Sequence, residues 1–448
     1  MIILFLLCIT VLAYGLRTQA GYLKVPTLVA ILYLAWFLPQ LSAVSSDATV
    51  PSSGYHRLVV MMALSLIAFW LGWYWKSDRV RPAAELDVTW IIPPALVLTL
   101  FSVAINLLLA RYRSEWSGGQ QWSGPITIVA FFSQTRDVAL VLSLLLVLKR
   151  RTPLTIVLFA VNLSVSLPIA FTLLRRAEMI GLGAAILCAY WFVQRRTFSM
   201  SILVPAAIAL GVTVYVIGPL RGMAIYMEMT TGTRPSLLNP VLWGNVDLKA
   251  ALDKTIQTAP DIRNALYVID HTAQNLSFQL GAVTWDGFIQ QYVPGQIFGH
   301  DFKSSLYLSS GRSIYGEIST EYNFTYGTGT TSTGFGSAFK DFGFLGALYF
   351  FMIARAMKYL YNRGMAGQFW AQLAYACFLP LVLLSLTHGH EKLFNLIPYF
   401  VAVILVLRAA SRRRWRLTPS HTVRLNAYGR RSDPSSEITS DRRAVRGE

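Results

Sequence analysis

The sequence predicts an all-α, polytopic membrane protein with about eleven transmembrane helices, because of its composition and the length of its apolar runs. The chain has 448 residues, of which 54% are hydrophobic and 14% charged, whereas about a quarter are charged in ordinary globular domains. Most apolar runs are roughly 16 to 22 residues long, which suits a helix that crosses a bilayer. They lack the alternation of a transmembrane barrel, so helices are predicted.

Eleven such runs, rich in Leu, Val, Ala and Ile, follow one another along the chain. No basic residue precedes the first run and Arg17 follows it, so we expect a retained span rather than a cleavable signal. The predicted spans are residues 2–16, 25–44, 58–75, 90–110, 126–148, 154–174, 179–193, 200–220, 335–361, 369–387 and 394–407.

The spans divide the chain into four parts. Residues 1–220 form an N-terminal helix block, and residues 335–407 form the C-terminal helices. A long polar interval, residues 221–334, separates them between the eighth and ninth spans. Residues 408–448 form a basic tail with few apolar residues, a composition typical of disorder.

The positions of Lys and Arg predict the orientation of the spans. Basic residues fill the tail and every second short loop before it, which places the C-terminus in the cytoplasm and the N-terminus and the 221–334 interval outside. The net charge of +17 would suggest nucleic acid as a partner of a soluble protein. Here the positive charges flank apolar runs, which is typical of contact with anionic lipid. We therefore expect membrane lipid, and no nucleic acid, as a partner.

Three arginines oppose the topology rule. Arg175 and Arg176 lie in a short outer turn, and Arg221 ends the next outward helix. A guanidinium is always charged and binds phosphate oxygens in a bidentate manner. These arginines are candidates for binding a lipid diphosphate. The alternative is that they only reach the lipid headgroups.

The 221–334 interval is rich in aromatic residues and in carboxylates. Rings that stack on sugar faces, beside groups that bind hydroxyls, suit a carbohydrate site. Trp285, Tyr315 and Tyr322 are the candidates for sugar binding. The alternative is an aromatic belt at the membrane interface.

Two pairs of residues are candidates for a general base. Glu317 and Glu321 are four residues apart, so on a helix they share one face, and a carboxylate there suits proton abstraction from a hydroxyl. His388 and His390 lie in the outer turn between the last two spans, and imidazole is a natural base near neutral pH. The alternatives are two solvated acids and a polar interfacial loop.

Metal binding and disulfides are not expected. The run His388-Gly-His390-Glu391 suggests metal ligands, but a further histidine would have to come from His300 in the interval. The three cysteines, at positions 8, 188 and 377, lie within apolar runs, which argues against a disulfide framework or a thiolate site.

Taken together, these features resemble the O-antigen polymerase (Wzy-type) family of oligosaccharide repeat-unit polymerases. The resemblance consists of about a dozen helices, one large external loop in the C-terminal half, and arginines at outer helix ends. It also includes a Gly-rich return to the membrane, with Gly316-Glu317, Gly334-Phe335 and the Phe-Gly-Phe-Leu-Gly run at 342–346.

The resemblance implies a GT-C-type, lipid-linked glycosyltransferase of the bacterial inner membrane. Such an enzyme transfers a growing glycan from undecaprenyl diphosphate to a sugar hydroxyl of the next lipid-linked repeat unit at the periplasmic face, as in lipopolysaccharide or exopolysaccharide synthesis. It needs no cofactor or metal, and a chain-length co-polymerase is an implied partner. The implied diphosphate ligands are Arg175, Arg176 and Arg221, and the implied base is one of His388, His390, Glu317 and Glu321.

Two other functions fit the sequence. An O-antigen ligase differs from a polymerase only in its acceptor. A lipid-linked oligosaccharide transporter is a non-enzymatic alternative, although many transporters show paired repeats and this sequence shows none.

Overall fold

Long apolar segments form helices throughout the N-terminal half of this computed structural model. The structure describes residues 1–76, 80, 86–112, 126–173, 176–199, 248–309, 314–326 and 331–412, and short stretches between 201 and 244. The N-terminal helices are α1 (Ile2–Leu16), α2 (Val25–Leu32), α3 (Leu38–Ser45), α4 (Ser52–Tyr74), α5 (Ile92–Arg111), α6 (Ile126–Ser133), α7 (Thr135–Lys149), α8 (Pro153–Leu173) and α9 (Arg176–Gln194).

Helices also make up the described part of the C-terminal half. A short 3₁₀ segment, Gly343–Gly346, joins two of them. These helices are α10 (Leu248–Thr258), α11 (Pro260–Gln274), α12 (Ala282–Tyr292), α13 (Gly295–Phe298), α14 (His300–Ser305), α15 (Ile314–Tyr322), α16 (Thr333–Phe342), α17 (Ala347–Met365), α18 (Phe369–Thr387) and α19 (Glu391–Arg412).

Within the described residues, seven helical segments are long and apolar enough to span a membrane, and no strand occurs. These segments are Val25–Ser45, Ser52–Tyr74, Val88–Arg111, Ile126–Lys149, Thr333–Met365, Phe369–Thr387 and Glu391–Ser411. The predicted all-α, multi-pass class is therefore confirmed.

The predicted number of eleven spans remains a prediction. Three of the other predicted spans form shorter apolar helices, Ile2–Leu16, Pro153–Pro168 and Met179–Gln194. Most of the predicted 200–220 span and the tail from residue 413 onward lie outside the described residues.

The predicted continuous span at 335–361 is divided in the structure. Helix α16 ends at Phe342, and Gly343 has a φ of 58°, a left-handed conformation that glycine adopts without steric cost. A Cβ at Gly346 would lie 2.2 Å from the Ala338 carbonyl oxygen, so a close backbone contact also requires glycine there. These two glycines let α16 turn across the bundle before α17 begins.

Helices α4 and α17 run side by side in the core of the bundle. Phe69 packs against Phe350 and Trp73 against Tyr361, with ring centroids 5.2 and 5.4 Å apart. Gly72 allows this approach, because a Cβ there would lie 2.4 Å from the carbonyl oxygen of Phe351. Small residues at helix contacts are the usual means of close packing in membranes.

The two ends of the bundle differ. At one end, which we call the Arg195 end, Arg195 donates to the carbonyls of Gly364 and Met365 at 3.3 and 2.6 Å. At the opposite end, the His390 end, α11 packs on α4 and α16, α15 packs on α11, and α12 packs on α19. Helices of the 221–334 interval therefore pack directly on the apolar bundle.

We expect Gly72→Ala to lower the free energy of unfolding by roughly 1 to 3 kcal/mol, because overpacking forces α4 away from α17. The measurement is chemical unfolding in detergent micelles. Gly183→Ala is the matched control, since a Cβ at this helical glycine meets nothing within 4 Å. Gly183→Ala should be neutral or stabilising, because alanine has the higher helix propensity, and the same loss in both variants would show that the contact of Gly72 with α17 does not set the cost.

Candidate functional site

Helix α11 is held in place at the His390 end by contacts with the N-terminal block. The Asp261 carboxylate accepts from the Trp36 indole N–H at 2.9 Å. Arg263 donates to the Asp47 carboxylate at 2.5 Å. Hydrogen bonds from Thr49, followed by that from Arg263, hold the pKa of Asp47 at about 2. These contacts fix the first turn of α11 against α3 and the loop before α4.

The last turns of α11 are fixed by Asp270, whose side chain is fully buried. Its carboxylate accepts hydrogen bonds from Arg57 at 2.7 Å, Ser53 at 2.8 Å, Gln274 at 2.7 Å and Tyr322 at 3.1 Å. A buried carboxylate is tolerated when it is paired and its remaining lone pairs are satisfied. Burial and the Asp270 charge both raise the pKa of Tyr322, so its hydroxyl keeps its proton at neutral pH.

Next to Asp270, the buried imidazole of His271 contacts both glutamates of α15. Its Nδ1 lies 2.5 Å from Oε2 of Glu321, and its Nε2 lies 3.3 Å from Oε2 of Glu317. The His271 side chain is 5% exposed, whereas those of Glu317 and Glu321 are 50% and 35% exposed. One buried ring therefore links two carboxylates that both reach solvent, Glu317 more than Glu321.

This arrangement constrains the protons that the three groups share. A neutral imidazole has one donor and one acceptor nitrogen, whereas imidazolium has two donors. Either imidazolium lies between two carboxylates, or neutral His271 lies between one carboxylate and one carboxylic acid. The two forms contain the same number of protons and differ by one proton shift. The geometry therefore allows a proton to pass between the ring and a carboxylate while His271 stays in place.

A second buried histidine, His390, lies at the start of α19. Its Nε2 is 3.2 Å from the Asp341 carboxylate and 3.0 Å from the Thr284 hydroxyl. Its Nδ1 is 2.9 Å from the Ser337 hydroxyl, and its ring packs on Tyr349 with centroids 4.3 Å apart. The His390 and Asp341 side chains are fully buried. Both ring nitrogens are therefore occupied by protein groups.

Helix α15 connects the two histidine centres. Glu317 and Glu321 contact His271, while the Tyr315 ring lies 5.7 Å from the ammonium group of Lys340. Lys340 precedes Asp341, the partner of His390. The site is thus one polar region at the end of the apolar bundle, with solvent access at Glu317.

Seven of the ten sequence-predicted site residues have side chains that the structure describes. Glu317, Glu321 and His390 lie in this region, in the contacts described above. His388 is exposed, and its Nδ1 lies 2.8 Å from the Thr387 hydroxyl. Tyr315 is 42% exposed, as expected for a ring that could stack on a ligand.

The other two aromatic candidates make protein contacts. The Tyr322 hydroxyl binds Asp270, and its ring packs on Tyr267 with centroids 4.9 Å apart. Trp285 is 44% exposed and donates its indole N–H to the Leu306 carbonyl at 2.9 Å. Sugar binding by Trp285, Tyr315 and Tyr322 stays a prediction. Tyr322 also has a structural contact, because its hydroxyl donates to buried Asp270.

The predicted diphosphate ligands stay predictions. Arg175 and Arg221 lie outside the described residues. Arg176 is the first residue of α9, and its side chain is not among those described.

Sequence reasoning missed His271, Asp270, Arg57 and Asp341. The adjacent pair Asp270-His271 directly follows the apolar residues Val268 and Ile269 in an amphipathic helix. That position was the only available signal, because the partners of the pair come from distant parts of the chain.

No group of three or more His, Cys, Asp or Glu side chains among the described residues is arranged to hold a metal ion. The contacts of His271 explain this, since the two glutamates bind opposite nitrogens of the ring. The described cysteines are free and buried. Comparison with known proteins finds no match to a family model, to a curated protein or to a solved structure.

We expect Arg57→Met to lower the free energy of unfolding by about 2 kcal/mol. This is less than the roughly 3 to 5 kcal/mol of a fully buried pair, because Arg57 is 33% exposed and Asp270 keeps three other donors. The measurement is chemical unfolding in micelles.

A double-mutant cycle provides the control for this prediction. In an Asp270→Asn background, which removes the buried charge, Arg57→Met should cost less than half as much. Equal costs in the two backgrounds would mean that Arg57 stabilises the protein by packing alone.

Proposed function

We propose that this protein is a membrane glycosyltransferase that joins lipid-linked oligosaccharide repeat units, with Glu317 as the general base. The observation that carries this proposal is the convergence of Glu317 and Glu321 on buried His271, at one end of a bundle of membrane-spanning length. A carboxylate in contact with both solvent and a proton-sharing imidazole suits the activation of a sugar hydroxyl.

Exposure favours Glu317 over buried His390, and contact with the buried ring of His271 favours it over exposed His388. A base must come within about 3 Å of the proton that it abstracts. His390 is fully buried and both of its nitrogens are engaged, so we assign it a positioning role. Glu321 lies closer to His271, at 2.5 Å from Nδ1, and we assign it the role of orienting the ring. Glu317 is half exposed, and it can reach an acceptor without rearrangement of the core.

The proposed reaction is a displacement at the anomeric carbon of the donor glycan. The acceptor hydroxyl oxygen forms a bond to this carbon while the bond to the diphosphate oxygen breaks. The bonding electrons leave with the lipid diphosphate, and the hydroxyl proton passes to Glu317. Fixed positive charge stabilises such a leaving group, and we assign this role to Arg175, Arg176 and Arg221.

The finer topology belongs to the same proposal. Eleven spans, an external N-terminus and a cytoplasmic C-terminus place the 221–334 interval at the periplasmic face of a bacterial inner membrane. The donor and acceptor are then undecaprenyl-diphosphate-linked oligosaccharides. A chain-length co-polymerase is a proposed partner, and no metal or other cofactor is required.

The first test is glycan ladder formation in cells that lack the native protein and express variants of it. Glu317→Gln and His271→Gln should each reduce polymer formation by roughly 10²- to 10⁴-fold, as expected for loss of a general base or of its proton-sharing partner. Single repeat units should still reach the cell surface. Asp301→Asn, an exposed acid on α14 in the same interval, is the matched control and should form a normal ladder.

Each outcome of this test has a clear meaning. A normal ladder in Glu317→Gln, at normal membrane expression, would rule out Glu317 as the base. Loss of both polymer and surface-exposed repeat units would favour transport over polymerisation.

The proposed diphosphate ligands need a separate experiment. Arg175→Ala and Arg176→Ala should each abolish the ladder, because the leaving group loses its charge partner. The measurement is the same gel, after membrane expression of each variant has been verified. An unchanged ladder in both variants would remove these arginines from the mechanism and leave the role of Glu317 standing.

A further inference from the structure

A large apolar groove lies between α17, α18 and α19, and one end of it reaches Phe394, whose ring centroid is 6.3 Å from that of His390. Its volume is about 970 Å³. Apolar side chains form most of its wall, and three of them, from α19, follow the turn that contains His390. The main apolar lining residues are Phe351, Met352, Phe378, Leu393, Phe394 and Ile397.

The groove becomes polar toward the Arg195 end. Arg355, Asn362, Arg363 and Gln368 line this part. From Phe351 to Arg363 the helix rises about 18 Å, slightly more than half of the roughly 30 Å hydrocarbon core of a bilayer. The groove thus has the length and polarity of one lipid in a single leaflet.

The two arginines of the groove, Arg355 and Arg363, have no carboxylate partner among the described residues. Arginine ion pairs in that part of the chain are made by Arg57, Arg136 and Arg263. Arg355 donates a long hydrogen bond, of 3.4 Å, to the carbonyl of Trp75. Within the described residues, this end of the groove therefore carries positive charge that no carboxylate pairs.

Arg363 is oriented for an anion. Its guanidinium lies 4.2 Å above the centre of the Tyr359 ring, which restricts the plane of the group. Its Nε is buried and has no hydrogen-bond partner among the described residues. An unsatisfied buried donor is costly, so a small movement of the guanidinium that brings Nε to an acceptor, such as a phosphate oxygen in the groove, would be favourable.

We propose that this groove binds an anionic phospholipid, with the phosphate between Arg355 and Arg363 and an acyl chain along Phe351 and Phe394. Guanidinium groups suit phosphate oxygens in bidentate geometry. Basic pockets between transmembrane helices are suitable sites for anionic headgroups. The site is separate from Glu317 and His271, and it does not depend on the function proposed for them.

The test uses the purified full-length protein in nanodiscs, with native mass spectrometry to count retained lipids. Phosphatidylglycerol and phosphatidylcholine with identical acyl chains are the probes. Wild type should retain phosphatidylglycerol about tenfold more strongly, and Arg363→Gln and Arg355→Gln should each remove most of this preference, since a charge-assisted hydrogen bond corresponds to about this factor.

Two further variants make the test specific. Arg17 is exposed and lies near the Arg195 end, since the ring of neighbouring Tyr14 packs on Tyr74 at the end of α4. Arg17→Gln removes one positive charge there and should keep the full preference for phosphatidylglycerol. Arg363→Lys retains the charge but not the planar fork, so it should keep part of the preference. It replaces Arg363→Gln as the decisive variant if the latter fails to fold.

Three results would overturn the proposal. The first is equal retention of the two phospholipids by wild type. The second is an unchanged preference in both groove variants. The third is displacement of phosphatidylglycerol by an equal amount of a polyprenyl phosphate, which would assign the groove to a substrate lipid instead.

Discussion

The buried carboxylate of Asp270 is the interaction on which the histidine site depends. Removing a carboxylate from water is expensive, and the cost is offset only when its oxygens are fully satisfied. The four donors come from α4, α11 and α15, so satisfying one carboxylate brings three helices together. His271 follows directly in the chain, and its position between the glutamates of α15 is a consequence.

The two histidine centres differ in what surrounds them. The His390 ring lies between Asp341, Ser337 and Thr284 without exposure, so its contacts fix the turn between α18 and α19 against α16. The His271 ring is also buried, but Glu317 extends the network to the surface. A network with accessible carboxylates can exchange protons with a ligand, whereas a sealed network mainly stabilises a fold.

The bundle also separates two kinds of chemistry. At the His390 end, carboxylates and imidazoles share protons near an exposed surface. Toward the Arg195 end, the groove lined by Phe351 and Phe394 meets Arg355 and Arg363, which have no acidic partner among the described residues. The first arrangement suits a polar substrate and the second an anionic lipid. A protein that acts on lipid-linked sugars would need both environments.

The amino-acid sequence by itself determined the fold class. Because a lipid-exposed backbone must satisfy its own hydrogen bonds, runs of about 20 apolar residues permit few structures other than helices. The run at 369–387 coincides with α18, and the helical run at 2–16 coincides with α1. The spacing of Glu317 and Glu321 also predicted that they share a face, since the helical period is local.

Only the tertiary structure decided which residues meet. Arg57 and Asp270 are 213 positions apart, and His271 and Glu317 are 46 apart, so no local pattern joins them. The sequence did not predict the helix break at Gly343, because the apolar run continues through it. The close contact between Gly346 and Ala338 forms only when the chain folds. The adjacent residues Arg136 and Asp137 form an ion pair, with Arg136 Nε 3.2 Å from Asp137 Oδ1. They lie in the first turn of α7, just after the helix break at Gln134. Burial of charge is a property of the assembled helices, and sequence alone does not reveal it.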